Sequence, residues 1–422
     1  MTAHADGRRH DRDTGRALIP VEEARDRMLR LIEPLPAQER PLHRAFGCAV
    51  ASDVSSPRDL PPFTSSAMDG FAVRAADVAP ATADRPVGLR IVGEVRMGRP
   101  PEATVGPGEA VAIPTGGAVP QGAQCVIPVE HCVVEDDRVL VLRPEPPGRH
   151  VRPAGEDLRA GDALVPAGRR LLGPDLGLLA SAGLDSVAVR PPARVVILST
   201  GDELVGPGTP LEAGRLHDAN AFTLEGAVRE AGAVPVPAGI VPDDPQALVR
   251  ALEEHADGAD AFVTSGGVSA GERDPVKLAF AGRGEVEFLE VAMQPGKPQA
   301  FGSFGGRPLF GLPGNPVSVF VSFEVFVRPA LMRMMGRRED RPRVLARLET
   351  ELRGPREKAM FARVRVKRDG GGWAAASTGP RQSNLLSTAS RANGLAVVPA
   401  GIEALAPGDS CEVLLFRDPG EP

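Results

Sequence analysis

The stretch Asp260–Lys277, DAFVTSGGVSAGERDPVK, decides how the chain is read. Its apolar, partly β-branched opening has the length of a buried strand, and the run stops at Gly266 and Gly267. Glycines there let a backbone approach a ligand closely or take positive φ. Exposed N–H groups in such a turn can form a nest for an anion. Ser265 and Ser269 add hydroxyls, and Asp274 and Lys277 place a carboxylate and a cation three residues apart. A phosphorylated ligand with a divalent ion would use all of these. The plainer alternative is a strand-to-helix turn in which Asp274 caps a helix and Lys277 is solvated.

The flanking sequence repeats the pattern. RVVILST (194–200) reads as a second buried strand ending in GDEL, with Asp202 and Glu203 at its exit. Mg²⁺ takes one or two carboxylates plus substrate oxygens, so these two could sit beside a metal-bridged phosphate, or could instead cap a following helix. AFTLEGAVREAG reads as a helix with Gly232 after its end, Asn220 near its start being a cap. Asp244-Pro245 opens another helix. EVEFLEVAM, QAFGSF and RPLFGL read as strands, and NPVSVFVSFEVFVRPALMRMMG as a long apolar helix with Asn315 at its cap position. QPGKPQAFG (294–302) presents Lys297 in a Gly/Pro loop, where it could hold an oxyanion as a point charge. Strands alternating with helices predict an α/β domain on a mostly parallel sheet over residues 193–338, with ligands at the carboxyl ends of its strands.

Before this domain, Val21, Ala24, Met28 and Leu31 fall at helical spacing, and Pro34 ends the pattern. Short β-rich runs from Val87 to Leu142 predict a small β domain, and Gly173–Ala182 predicts a helix. Within this region Asp69 lies in the small-residue loop SSAMDG, Thr115 precedes paired glycines, and Asp157 lies in RPAGEDLRAGD. Each reads locally as an ordinary turn or hairpin residue. The tail, 339–418, is β-rich again and predicts a small barrel or sandwich. Arg363 lies on one of its strand-like runs and Ser383 in a loop.

Composition narrows the function. The chain is 42% hydrophobic and 25% charged, an ordinary globular balance, and no run approaches the roughly 20 apolar residues of a membrane helix. The polar first 16 residues read as a disordered arm rather than a secretory signal. A net charge of -6, no tyrosine and one tryptophan argue against nucleic-acid binding. Four cysteines without a CxxC pair fit reduced thiols in the cytoplasm, and seven dispersed histidines form no HExxH site.

Taken in order, SAMDGFAV, PTGGAVPQGA, RPAGEDL, STGDEL, TSGGVSAGERD, QPGKPQAFG and GLPGNPVS resemble the molybdopterin molybdenumtransferase (MoeA) family, to which the gephyrin E domain is similar. The resemblance covers about residues 17–415. It implies a multidomain α/β plus β chain: a discontinuous domain I (17–60 and 150–192), a β insertion as domain II (61–149), a molybdopterin-binding domain III (193–338) and a C-terminal β-barrel as domain IV (339–418). It implies a homodimer with active sites shared between domain III of one subunit and domains II and IV of the other. The implied enzyme inserts molybdate into adenylylated molybdopterin and releases AMP and molybdenum cofactor, using Mg²⁺. Molybdopterin adenylyltransferase and apo-molybdoenzymes are implied partners. No nucleic acid or membrane is implied.

Carried over by position, Asp69, Thr115, Asp157, Glu203 and Asp274 match catalytic positions, with Asp243 or Asp244 beside them. Glu203, Asp243 and Asp274 form the implied metal set. Ser265, Gly266, Gly267, Ser269, Lys277, Lys297, Pro313, Gly314, Asn315, Arg363 and Ser383 match the binding set. Pro275, Gln294 and Gly117 depart from the residues usual in the family. A lone adenylyltransferase would resemble domain III only, and a non-enzymatic scaffold would carry a further domain or long linker.

Overall fold

The computed structural model describes residues 18–268, 275–280, 286–337 and 341–420. The chain divides into two compact units: residues 1–38, 47–51 and 189–422, and residues 39–46 and 52–188. The polar first 16 residues lie outside the described part.

The first unit is organised by a six-stranded sheet. In chain order its elements are β1 (Arg194–Thr200), α1 (Asn220–Glu230), β2 (Val234–Val241), α2 (Pro245–Glu254), β3 (Ala261–Ser265), β4 (Val286–Glu290), β5 (Pro298–Phe304) and β6 (Arg307–Leu312). The strand order is β2-β1-β3-β6-β5-β4. Pairings β1–β2, β1–β3 and β3–β6 are parallel, while β5 runs antiparallel to both β6 and β4. The mostly parallel sheet expected from the alternation is therefore present, with β5 reversed because only two residues, Gly305 and Gly306, connect it to β6. Buried side chains cover both faces. Ile197, Val263 and Phe310 enter one cluster, and Val196, Phe262 and Leu309 the other. That is why these strands read as continuous apolar runs.

The expected long apolar helix is three segments: Pro316–Ser322, a π-helical turn at Phe323–Val327, and Arg328–Met334. Pro329 has no N–H for the carbonyl four residues back, and a widened turn just before it accommodates that loss. Buried Glu324 meets Arg341 there at 2.8 Å. The N-terminal helix, Val21–Arg30, buries Val21, Ala24 and Met28 as expected. Leu31 does not continue that face. It lies past the last helical turn and is 68% exposed, and Ile32 is buried in its place.

The C-terminal sheet closes on itself. Strands Ala359–Asp369, Gly372–Ser377, Arg343–Leu348, Ser410–Leu415 and Gly394–Val398 follow one another, and the last pairs with the first. This is the expected barrel, and closure leaves it no free edge along those pairings. Gly372–Ser377, absent from the sequence reading, supplies the Trp373 ring, over which Arg368 stacks at 3.8 Å.

The second unit contains a six-stranded sheet in the order Cys125–Pro128, Gly70–Val73, Glu109–Ile113, Val87–Glu94, Arg138–Val141, Cys132–Glu135. The helix expected after Leu172 is present at Gly173–Ser181. No helix among the described residues is long and apolar enough to cross a membrane.

Candidate functional site

Four strands of the first unit point their carboxyl ends at one cleft of about 1980 Å³. β1 delivers Thr200, Gly201 and Glu203; β2 delivers Asp243; β3 delivers Ser265, Gly266 and Gly267; β6 delivers Pro313, Gly314 and Asn315. In a parallel sheet the loops leaving the same edge are neighbours, so residues separated by more than a hundred positions meet.

Gly266 is the tightest point of this wall. Its φ is +90°, and a Cβ there would stand 2.6 Å from the Thr200 carbonyl oxygen. Its N–H donates to Leu312 O at 3.0 Å, and its Cα lies 3.6 Å from the position of a Gly314 Cβ. Beneath it the Ser199 and Ser265 hydroxyls are 3.1 Å apart. Backbone therefore lies against backbone at this point of the wall, and only glycine leaves room for the approach.

The acidic residues divide by role. Asp244 accepts from Gln246 N at 3.2 Å and Ala247 N at 3.0 Å, so it is the cap of α2, while its neighbour Asp243 lines the cleft. Asp202 is not a helix cap, because a short strand at Leu204–Val205 follows it rather than a helix. Its carboxylate accepts from Asp243 N at 3.2 Å, and Arg215 donates to its carbonyl. Glu203 turns onto the cleft over Gly201, where an added Cβ would be 2.7 Å from Oε2.

Asn220 is not a cap either. Asp218 caps α1, accepting from Asn220 N at 3.0 Å and Ala221 N at 3.1 Å. Asn220 instead donates from Nδ2 to Gly314 O at 2.8 Å, tying α1 to the loop after β6. Asn315 likewise makes no cap bond; its Nδ2 donates to Ser383 Oγ at 2.9 Å, and Val317 N donates to Ser383 O at 2.9 Å. Pro380–Asn384 from the barrel thereby forms one wall of the cleft. Asp218 and this Pro380–Gln382 wall were missed by sequence reading. A carboxylate two residues before a helix was a visible signal for the first, and nothing local marked the second.

Two expected binding lysines lie off this wall. Lys297 pairs with Glu290 at 3.3 Å, and Lys277 Nζ lies 5.9 Å from the centroid of the Phe288 ring. Arg363 is buried behind the wall rather than on it. Ser269 and Asp274 lie outside the described residues. Among the described residues, the charged side chains that line the cleft are Glu203, Asp218, Asp243 and Arg381, with His217 donating from Nε2 to Thr209 O at 2.9 Å.

The remaining expected residues belong to the second unit. Asp69 Oδ1 accepts from Thr115 N at 2.7 Å, and Asp69 O accepts from Val129 N at 3.0 Å. Ser66 and Gly117, with Gly116, close the two loops through backbone bonds of 2.8 and 2.9 Å. Residues 46 apart are thus fixed as a pair, both exposed. Asp157 is exposed too, its N–H bonded to Leu60 O at 3.0 Å.

Three family models match consecutive parts of the chain. They are the MoeA N-terminal region (domain I and II) at 19–183, a probable molybdopterin binding domain at 196–333, and the MoeA C-terminal region (domain IV) at 345–416. Molybdopterin molybdenumtransferase 2 of Mycobacterium tuberculosis is 41% identical over 92% of this chain and 96% of its own length. The chain belongs to the MoeA family of molybdopterin molybdenumtransferases. The Nostoc molybdopterin molybdenumtransferase is 35% identical over 88% of this chain and 87% of its own. The crystal structure of a molybdopterin biosynthesis MoeA protein from Pyrococcus horikosii superposes with a TM-score of 0.83 at 32% identity, covering 95% of this chain and all of that one.

Within this MoeA chain the cysteines are held away from chemistry. Burial pushes the Cys125 and Cys411 thiols up to about 11 and Cys132 to about 12. A raised thiol value means the protonated form dominates throughout the neutral range, and the thiolate is the reactive form. Iodoacetamide at pH 8 is therefore expected to alkylate these three in the native protein at least ~100-fold more slowly than free cysteine. Mass spectrometry of timed samples checks this, and labelling at the free-cysteine rate would refute the assignment.

Proposed function

We propose that the chain inserts molybdate into adenylylated molybdopterin, releasing AMP and molybdenum cofactor. The observation carrying this reading is the convergence of four strand ends on one cleft, whose lining includes Gly266, Gly267 and Gly314 together with Glu203 and Asp243. The glycine-rich edges suit phosphate oxygens because no side chain there blocks a close approach to the backbone. Pro313, Gly314 and Asn315 form the second edge, and Ser383 a hydroxyl on the barrel side.

Carboxylates around an anionic substrate call for a cation between them. Glu203 and Asp243 supply an all-oxygen donor set, which fits a hard divalent ion such as Mg²⁺, with Asp274 as the third ligand that the resemblance implies. When bound, such an ion would neutralise charge on the leaving phosphate. The protein's own groups hold the anhydride between the loops and set its orientation. Asp202 keeps Asp243 at the cleft through the Asp243 N–H. Water cleaves the anhydride to free AMP, and molybdate exchanges one oxygen, lost as water with the two thiol protons, for the dithiolene sulfurs of the pterin, so no protein thiol is needed.

The four-domain division, the homodimer with shared active sites, and roles for Asp69, Thr115, Asp157, Ser269, Lys277 and Lys297 belong to the same proposal, supported by the family match. So do the cytoplasmic setting, supported by cysteines that form no disulfide among the described residues, and contacts with molybdopterin adenylyltransferase and apo-molybdoenzymes.

The test is molybdate-dependent AMP release from adenylylated molybdopterin with Mg²⁺, coupled to reconstitution of an apo-molybdoenzyme. Both products are expected, and chelation with EDTA is expected to abolish them. Substrate binding without either product would reduce the chain to a pterin-binding relative. Full activity in EDTA would remove the metal from the proposal.

A further inference from the structure

We infer that Asp202 is a positioning residue that couples Glu203 to Asp243 and thereby sets how tightly the cleft holds a divalent cation. Of the three residues that follow β1, Gly201 and Glu203 line the cleft and Asp202 does not. Its side chain reaches the neighbouring loop instead, where Oδ1 accepts from Asp243 N at 3.2 Å. One residue earlier, Gly201 N donates to Val241 O at 3.2 Å. Two adjacent residues after β1 thus grip the last residue of β2 and the residue two beyond it. The grip carries the parallel β1–β2 pairing past its final register partners, Thr200 and Val241.

Asp202 is held in turn from the other side. Its carbonyl takes the Arg215 guanidinium, and Glu203 O takes Leu216 N at 2.8 Å. Leu204–Val205 and Leu216–His217 pair in parallel just beyond, so the return strand braces the whole turn. On the β2 side, Asp244 caps α2 and fixes the chain immediately after Asp243. Asp243 is therefore anchored before, after and at its own N–H, and the bond at the N–H comes from the residue next to Glu203. A hard divalent ion takes its oxygens at about 2.0 to 2.1 Å, so the spacing of the two carboxylate carriers governs its affinity. Groups behind the ligands hold that spacing, and losing one typically costs about 10- to 100-fold in metal affinity.

The cation affinity assigned to Asp202 rests on the metal reading proposed above, whereas the grip does not. Exchange of the Asp243 amide hydrogen in substrate-free, cation-free protein tests the grip alone. It is expected to speed up at least ~5-fold in Asp202→Ala and to stay within ~2-fold of wild type in Asp202→Asn, whose side-chain oxygen accepts the same bond. Mn²⁺ suits the same oxygen ligands, and electron paramagnetic resonance reads its free concentration. Its affinity is expected to fall about 10-fold in Asp202→Ala and no more than ~3-fold in Asp202→Asn. In the molybdenum-transfer assay, the Mg²⁺ needed for half-maximal rate should rise by the same factors, with kcat at saturating Mg²⁺ held within ~3-fold. Arg215→Met removes the brace, leaves the carboxylate in place and lies outside the cleft lining. It is expected to move exchange and Mn²⁺ affinity about 3-fold in the same directions, and it decides the matter if Asp202→Ala does not fold. Equal losses in Asp202→Asn and Asp202→Ala would make the carboxylate a ligand or a bare charge and overturn the inference. Unchanged Mn²⁺ affinity in Asp202→Ala would overturn it too. If exchange responds as expected but wild-type protein takes up no Mn²⁺, the grip stands, and the cation reading fails together with the affinity assigned to Asp202.

Discussion

Gly70→Ala is expected to cost the second unit at least ~3 kcal/mol, because the new methyl has nowhere to go. Strand Gly70–Val73 lies between Glu109–Ile113 and Cys125–Pro128, antiparallel to both. A Cβ on Gly70 would stand 1.9 Å from Ile127 O and 2.9 Å from Ile127 C. Both are backbone atoms of the paired strand, so no rotamer change relieves the contact, and the strands must separate where Gly70 faces Pro128. The damage would spread to Asp69, whose carbonyl bonds to Val129 N and whose carboxylate bonds to Thr115 N. Urea unfolding with a probe in the second unit measures the cost. Gly177→Ala is the control: it lies within helix Gly173–Ser181 with nothing within 4 Å of an added Cβ, and should stabilise by up to ~1 kcal/mol. A Gly70→Ala midpoint equal to wild type would show that the close approach does not exist in solution.

Glu203→Gln is expected to lower kcat/KM for molybdenum transfer by at least ~100-fold at limiting Mg²⁺, with part of the loss recovered as Mg²⁺ is raised. The substitution keeps the shape of the side chain and removes only its charge. Glu203 is exposed, so stability should change by no more than ~0.5 kcal/mol, which separates a chemical effect from unfolding. Glu203 and Asp243 both line the cleft, so the expected effect is one of charge at a shared site and not of packing. AMP release measured across a Mg²⁺ series, beside a melting curve, checks both halves. Activity within twofold of wild type at every Mg²⁺ concentration would rule out Glu203 as a metal ligand.

The family and its layered architecture were legible in the residues. RVVILST, DAFVTSGG and RPLFGL read as buried strands because a central parallel strand is covered on both faces and must be apolar throughout. The same runs ended in glycines and acids, which located the cleft edge before any packing was known. Capping was less legible. Asn220 and Asn315 both stand where a cap belongs, yet Asp218 caps one helix and neither amide caps its own. Each amide reaches a residue more than sixty positions away, Gly314 or Ser383. A side chain that can satisfy a nearby N–H or a distant carbonyl is settled by what tertiary packing brings within about 3 Å.

The charges divide along the same line. That Asp243 and not Asp244 faces the cleft follows from Pro245, which starts a helix whose free N–H groups claim the nearer carboxylate. That Lys297 pairs with Glu290, and that Arg363 grips three carbonyls from behind the wall, depends on partners far along the chain. Periodicity and loop composition reach only a few residues, so by itself the sequence determined the strands, their glycine ends and the family. Which polar atoms meet across the cleft was decided by the tertiary structure alone, because a hydrogen bond forms over about 3 Å of space whatever the separation along the chain.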